Sequence, residues 1–358
     1  MSLCFLVQPY GEGNLNDVFA LGIEFRKKSM KLFSEFYKSD IVLASTMGLK
    51  KVIGEDKKYD ADFLSSVELV IVDSLETINM QNIEHLQFCL EQLNLKPVEQ
   101  RDADINRVQM HHIEKKSCEF RQLVFLSQIT TPVLNSTFLK NSKNITGKSF
   151  VKLNYDTKKW VSKIRVPGLV LMFKKLNSKK DGVLQSQSNL RLKYFSEKLL
   201  KDIKSRSQSG VLIFLPDHFD YIRVKNLMNK RMKIDPGDNF AELNEYDSVT
   251  KRKNQRRMFS KDDGIEAKCL LFTERYYFYH RKFPPRGSVK NVVFYGLPSF
   301  DRYFYDMCSC VEPGEQAFVH VMFFENEFEQ LARLVGKAKA LEMVKGGGDK
   351  ENWFFHSS

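Results

Sequence analysis

The run Val67 to Asp73, VELVIVD, reads as an apolar strand that brings a carboxylate to its end, followed by Ser74, Leu75 and Glu76. In nucleotide-hydrolysing α/β enzymes a strand-end Asp in such a place holds magnesium, and the Glu after it positions the attacking water. Here the metal-type Asp73 is present, but the water-positioning place is Ser74. A serine hydroxyl takes no proton near neutral pH without a base of its own, and none stands nearby in sequence. The simpler role for Asp73 is to cap the helix that follows. The triplet Gly147-Lys148-Ser149 imitates the end of a phosphate loop, yet the place five residues before Gly147 is Ser142 and the sequence after it, SFVKLNYD, reads as a strand. A phosphate loop needs a glycine or alanine there, a strand before it and a helix after it, so this reading is rejected.

Other metal or thiol chemistry finds little support. The six cysteines, Cys4, Cys89, Cys118, Cys269, Cys308 and Cys310, are scattered without a CxxC pair, the pattern of a reducing compartment. Cys308-x-Cys310 is too short for a metal site and is expected to pack a helix. His111 and His112 are adjacent, so on a helix they face apart. No apolar run approaches a membrane span, and MSLCFLVQPYGEG lacks the basic lead of a signal peptide.

The chain has 358 residues, enough for two ordinary domains, with 42% hydrophobic and 28% charged residues. That balance describes a folded protein, and a net charge of +12 points to a polyanionic partner, nucleic acid being the commonest. Residues 14–38 carry a basic amphipathic segment whose apolar positions could form one helical face opposite Arg26, Lys27 and Lys28. A strand at 40–45 then meets a helix near Thr46. Helices are expected at 81–93 and 105–118, and a strand at 123–127 ends in Ser127-Gln128-Ile129. Residues 174–188, rich in Lys, Ser and Gln, read as an interdomain linker. Beyond it come helix 189–204, strand 210–216, helix 219–229 and a basic helix over 248–261, capped by Asp247 or Ser248. Lys251, Arg252, Lys253, Arg256 and Arg257 on that helix form the densest positive cluster. It could bind RNA phosphates, serve as a nuclear import signal or be a solvated face.

The stretch 270–298 is the most distinctive. A buried strand at 269–273 leads through Thr273, Glu274 and Arg275 into an aromatic and basic loop, Tyr276, Tyr277, Phe278, Tyr279, His280 and Arg281. A Pro-Pro-Arg-Gly turn and a second buried strand, 289–297, follow. Two such runs followed by helix suggest neighbouring strands of a parallel sheet. A helix over SFDRYFYDMCSC, a strand over QAFVHVMFF, a helix at 325–343 and a frayed tail from 346 complete the chain.

The TER-aromatic-R string, the VVFYGLP string, FALGIEFRKKSMKLFSEFYKSDIVLAS and SSVELVIVDSLETINMQNIEHL together closely resemble the U3 small nucleolar RNA-associated protein 25 family, also called the digestive organ expansion factor family. The resemblance covers nearly the whole chain. It implies an α/β fold of two RecA-like lobes of the P-loop NTPase and helicase type, a first lobe over 1–173, linker 174–188, a second lobe over 189–345 and a flexible tail over 346–358. Family members carry a long acidic N-terminal region and further strands before the matching part, so the first lobe is expected to be incomplete at its N-terminus.

By register with helicases, the resemblance places Ser45 and Thr46 at an RNA-backbone clamp, where the family has Pro in place of Thr46. It puts Arg275 and Arg281 at nucleotide- and RNA-sensing places, and Ser127 at a coupling motif. The two arginines that stabilise the transferring phosphate fall at Met307 and Cys310, which carry no charge, whereas such an arginine is worth about three to five powers of ten in rate. Asp73, Ser74, Glu76, Ser127, Met307 and Cys310 are thus expected to be vestigial. The implied function is a non-enzymatic scaffold of the nucleolar small-subunit processome, with no cofactor, that contacts pre-rRNA, U3 snoRNA and processome proteins in 18S rRNA maturation. Two alternatives remain open at this point: an ATP-dependent RNA helicase, and a basic RNA-binding module without a processome role. For most of Tyr276 to Tyr279, packing between the lobes is expected, and stacking on unpaired bases is the other option.

Overall fold

In the computed structural model, which describes residues 17–54, 59–99, 101, 104–151, 160–177, 179–180, 183–184, 186–205, 210–231, 239–260, 267–280, 289–313, 317–345 and 351–357, the first segment departs from expectation. It is a β-hairpin, β1 (Ala20–Arg26) and β2 (Ser29–Ser34), not a helix. Leu21, Ile23 and Phe25 alternate with Gly22, Glu24 and Arg26, so the apolar period is two and Lys27-Lys28 form the turn. β3 (Ile41–Ala44) pairs antiparallel with the other edge of β1. Phe25, Met30, Leu32, Ile41 and Leu43 share the exposed face of this small sheet.

Helix α1 (Thr46–Ile53) starts where expected, with the Ser45 hydroxyl accepting from the Gly48 amide at 2.9 Å. Gly48 is required there, because a Cβ would lie 1.9 Å from the Phe19 carbonyl oxygen. β4 (Leu69–Val72), α2 (Leu75–Gln81) and α3 (Ile83–Glu91) follow. The helix expected over 105–118 is broken into α4 (Met110–Ile113) and α5 (Ser117–Phe120), because Lys115 adopts a left-handed conformation, φ 61°, that a helix cannot continue through. β5 (Gln122–Phe125) runs parallel to β4, and α6 (Pro132–Asn141) closes the unit. Val72 and Leu123 turn one face of this pair onto Leu75, Leu86, Leu90 and Leu134. On the opposite face Leu69 and Ile71 are exposed. Residues 147–151 form neither the helix of a phosphate loop nor the start of the expected strand; the rest of that strand, from 152, lies outside the described residues.

The chain divides into two compact units between Val151 and Lys152, so the boundary is earlier than the linker expected at 174–188. That stretch begins inside β6 (Val170–Leu176), a strand of the second unit's sheet, and continues through β7 (Lys179–Lys180) and β8 (Val183–Leu184). Its Lys174 and Lys175 gave it a loop-like composition, yet they stand between Phe173 and Leu176, which are buried. Next come α7 (Gln187–Tyr194), a π turn over Phe195–Leu199, α8 (Leu200–Ser205), β9 (Val211–Leu215) and α9 (His218–Arg231). β10 (Phe240–Leu243), which the sequence did not reveal, precedes α10 (Val249–Ser260) and β11 (Cys269–Thr273). The expected aromatic loop is instead a short helix, α11 (Glu274–Tyr279), capped by the Thr273 hydroxyl. β12 (Asn291–Phe294), α12 (Asp301–Cys308), β13 (Phe318–Phe324), α13 (Phe328–Val335) and α14 (Lys337–Lys345) follow. Gly336, at φ 86°, separates the last two helices where one was expected.

Among the described residues the sheet order is β10-β11-β9-β12-β13-β6, parallel throughout, with β14 (Asn352–His356) added antiparallel on the β6 edge. The tail expected to fray from 346 therefore contributes an edge strand, anchored by buried Trp353. The central strands are continuous apolar runs because both faces are covered. Ile213, Leu271, Val293 and Met322 pack on Phe195, Tyr221 and Val224 on one side. On the other, the rings of Phe214, Phe294, Phe304 and Phe173 lie in a chain with centroids 5.4, 4.9 and 6.0 Å apart. This is an α/β architecture built on a mainly parallel sheet.

Candidate nucleic-acid interface

In the first unit, Ser74 takes a left-handed conformation, φ 52°, at the N-cap of α2, and its amide donates to the Asp73 carboxylate at 2.8 Å. Asp73 thus caps the Ser74 amide alone, and the N-cap place expected for it belongs to Ser74. The structure brings Glu76 and Ser127 together: the Ser127 hydroxyl and the Gln128 amide donate to the buried Glu76 carboxylate at 2.9 and 3.1 Å. That carboxylate links α2 to the end of β5. Ser45 is likewise occupied, accepting from the Phe19 and Gly48 amides and donating to the Asp17 carbonyl. Thr46 beside it is half-buried, with its carbonyl accepting from the Cys89 thiol. Among the described residues no group of three or more His, Cys, Asp or Glu is arranged to hold a metal, and no helix is long and apolar enough to cross a membrane.

In the second unit, the basic helix α10 splits into two faces. Lys251 pairs with Asp247 at 2.7 Å and Glu242 at 2.9 Å, which raise its pKa against the effect of burial. Arg252 meets the imidazole of His280, whose pKa is lowered by burial and by Arg252 and Arg256, so the neutral ring accepts. Arg256 donates through Nε and Nη2 to the Tyr276 hydroxyl at 3.0 and 2.6 Å. Lys253 and Arg257, one helical turn apart, are exposed. The expected five-residue cluster is therefore three cations engaged with neighbouring side chains and two presented to solvent.

The aromatic run divides in the same manner. Tyr276 and Tyr277 are buried within their own unit, Tyr277 donating to Asp306 at 3.0 Å, while Tyr279 is 47% exposed. Arg275 reaches the Tyr246 hydroxyl at 3.5 Å; Arg281 lies outside the described residues. Between Arg275 and Thr273 stands Glu274, fully buried, receiving the Ser299 amide at 2.8 Å and hydroxyl at 3.0 Å. Burial pushes its carboxyl up to about 7 against those hydrogen bonds and Arg333. It ties the end of β11 to the turn after β12. Of the two positions in register with phosphate-stabilising arginines, Met307 is in the core and Cys310 sits half-buried just after α12.

A cleft of about 320 Å³ opens between α9 and the turn after β10, lined by His218, Tyr221, Ile222 and Asn226 on one side and Asn244 and Tyr246 on the other. Sequence reasoning did not find it. One wall follows the four-residue strand β10, too short to register as an apolar run, and the two walls approach only through parallel pairing of β10, β11 and β9.

The family model described as UTP25, NTP hydrolase-like domain, matches residues 8–149, and Utp25, C-terminal domain, matches residues 162–355. The chain is 33% identical to U3 small nucleolar RNA-associated protein 25 of Leptosphaeria maculans, over 94% of this chain and 46% of that protein. It is 33% identical to the homolog of Xenopus tropicalis, over 93% and 42%, and to the Schizosaccharomyces pombe protein, over 82% and 43%. The chain thus spans less than half the length of these relatives. Among solved structures, a DEAD box protein from Methanococcus jannaschii shows a loose likeness, with a TM-score of 0.34 and 14% identity, covering 86% of this chain and 65% of that one. With family models matching over both units, this chain belongs to the U3 small nucleolar RNA-associated protein 25 family.

Proposed function

We propose that this chain is the helicase-like part of a non-catalytic scaffold of the nucleolar small-subunit processome. It acts in pre-rRNA processing and 18S rRNA maturation by contacting pre-rRNA, U3 snoRNA and neighbouring processome proteins. The name carried by its relatives supports the pathway. The observation that carries the non-catalytic part is the end of β4: Ser74 occupies the place of the water-positioning carboxylate, and the nearest buried carboxylate, Glu76, is held by Ser127 and Gln128. A carboxylate that accepts two hydrogen bonds inside the fold links elements and is not poised to orient water. Met307 and Cys310 add no positive charge where one would stabilise a transferring phosphate. The RNA-binding part rests on the solvent-facing pair Lys253 and Arg257, with Arg275 and Thr46 as further contacts, and on the excess of positive charge. The pair also suits a nuclear import signal.

The test is recovery of U3 snoRNA and pre-rRNA with the epitope-tagged chain from nucleolar extract. Association that falls on Lys253→Glu with Arg257→Glu, and survives Asp73→Ala, is the expected result. Loss of association with Asp73→Ala to the extent that ATP turnover is lost would overturn the scaffold reading.

A further inference from the structure

The cleft beside α9 combines three features that point to one kind of ligand. Its walls are aromatic: the His218 ring lies nearly parallel to Tyr221, 28° apart at 5.7 Å, and meets Tyr246 edge-on, 83° at 5.1 Å, while Tyr246 itself is 70% exposed. The two charged side chains on its wall are already paired, Lys225 with Glu242 at 2.9 Å and Asp247 with Lys251 at 2.7 Å. Two polar groups on the wall are unspent among the described residues: the exposed Asn226 carboxamide, which has no hydrogen-bond partner, and the buried His218 Nδ1, whose approach to the Glu245 carboxylate at 3.6 Å is too long for a hydrogen bond. Rings and an amide without net charge are the recognition set for a neutral, planar, hydrogen-bonding heterocycle. Among the lining residues the one carboxylate, Asp247, is already taken by Lys251, which disfavours a cationic side chain as the occupant. The volume, near the small end of the roughly 300–1,000 Å³ typical of ligand clefts, suits a single base and its ribose.

We propose that this cleft holds one unpaired nucleobase of an RNA strand, stacked against Tyr246 with its hydrogen-bonding edge toward Asn226. Arg275, 3.5 Å from the Tyr246 hydroxyl, marks the side on which the adjoining phosphate lies. This inference rests on the RNA-binding reading above and gives it a position. It assigns roles to His218, Asn226 and Tyr246, and it separates a base contact from the phosphate contacts of Lys253 and Arg257. The same base chemistry occurs in free mononucleotides, so the test must tell the two sources apart.

The experiment measures binding of the 358-residue chain to a labelled, unstructured oligoribonucleotide, to the same strand carrying abasic sites, and to UMP and AMP as competitors, over a range of salt. Tyr246→Ala is expected to weaken binding by about 5- to 150-fold, the size of one lost base stack, with an unchanged salt slope. Tyr246→Phe should restore it, and the abasic strand should show the same loss on the original chain and no further loss on Tyr246→Ala. Lys253→Glu with Arg257→Glu should instead flatten the salt slope. Normal binding by Tyr246→Ala and equal affinity for the abasic strand would overturn the base site and leave RNA binding intact. Absence of RNA binding by every form would overturn both readings. Mononucleotides that compete at the affinity of the strand would assign the cleft to a free nucleotide and overturn the strand-bound form.

Discussion

Arg256 grips the Tyr276 hydroxyl with two donors, at 3.0 and 2.6 Å, and so fastens the basic helix α10 to the helix that follows β11. The guanidinium is structural, whereas Lys253 and Arg257 on the same helix face water. Arg256→Ala should lower unfolding free energy by about 1.5–3 kcal/mol, the range for a hydrogen bond to a charged group. Lys253→Ala and Arg257→Ala should each stay within about 0.5 kcal/mol of the original stability and each reduce the salt slope of RNA binding by about one. Urea denaturation and salt-dependent anisotropy check the two halves. A stability loss from Lys253→Ala equal to that from Arg256→Ala would contradict this division.

Glu274 predicts an unusual pH dependence. Its folded pKa, about 7, lies above the ordinary 4.5, so below pH 4.5 the group is protonated in both states and costs nothing. Between pH 4.5 and 7 the unfolded chain loses the proton and the folded chain keeps it. Stability therefore falls as pH rises through that window, by about 1.4 kcal/mol for each step of one in pH, and levels off above it. Glu274→Gln should remove this slope while keeping an acceptor for Ser299. The check is a comparison of denaturation midpoints at about pH 5 and about pH 8, either side of the folded titration; identical slopes in the two proteins would argue against it.

His320 predicts the opposite sign. Burial and nearby Lys174 lower its pKa from 6.5 to about 4 in the folded chain. The neutral ring contributes stability above pH 6.5 that is lost as pH falls toward 4, because only the unfolded chain gains the proton freely. His320→Gln should flatten acid denaturation in that window relative to the original chain. A variant that unfolds with an unaltered acid profile would show that the ring carries no such load.

The contrast between what was legible and what was not has a physical basis. β9, β11, β12 and β13 are buried on both faces, so their composition alone marks them, and the parallel sheet follows. In sequence the hairpin at β1 and β2 imitates a helix, because Arg26, Lys27 and Lys28 look like a polar helical face. The strict alternation of Leu21, Ile23 and Phe25 was the better signal. β14 was hidden because a short segment beyond a glycine run resembles a fraying end, although Trp353 and its neighbours pair with β6. At the candidate site, sequence located Asp73, Ser74 and the basic helix, but which cations face outward depends on Tyr276, His280 and Glu242, which lie elsewhere in the chain. The pairing of Glu76 with Ser127 joins residues from separate elements and has no local signature.

Gly48 supplies a test of the first unit alone. A Cβ there would meet the Phe19 carbonyl oxygen at 1.9 Å, so Gly48→Ala must push α1 away from the chain entering β1. Overpacking of this kind costs about 1–3 kcal/mol. Hydrogen exchange should show loss of protection in β1 and α1 and little change in β9 to β13. Unchanged protection in the first unit would contradict the close approach.

The proposed scaffold role requires that this chain turn over no nucleotide. The most direct measurement is ATP turnover by this chain and by a full-length relative such as the Schizosaccharomyces pombe protein, with and without structured RNA, beside an active helicase. No turnover by either protein under any condition is the predicted result. RNA-stimulated turnover that Asp73→Ala or its counterpart abolishes would contradict the account, and would mean that Ser74, Met307 and Cys310 do not disable the site.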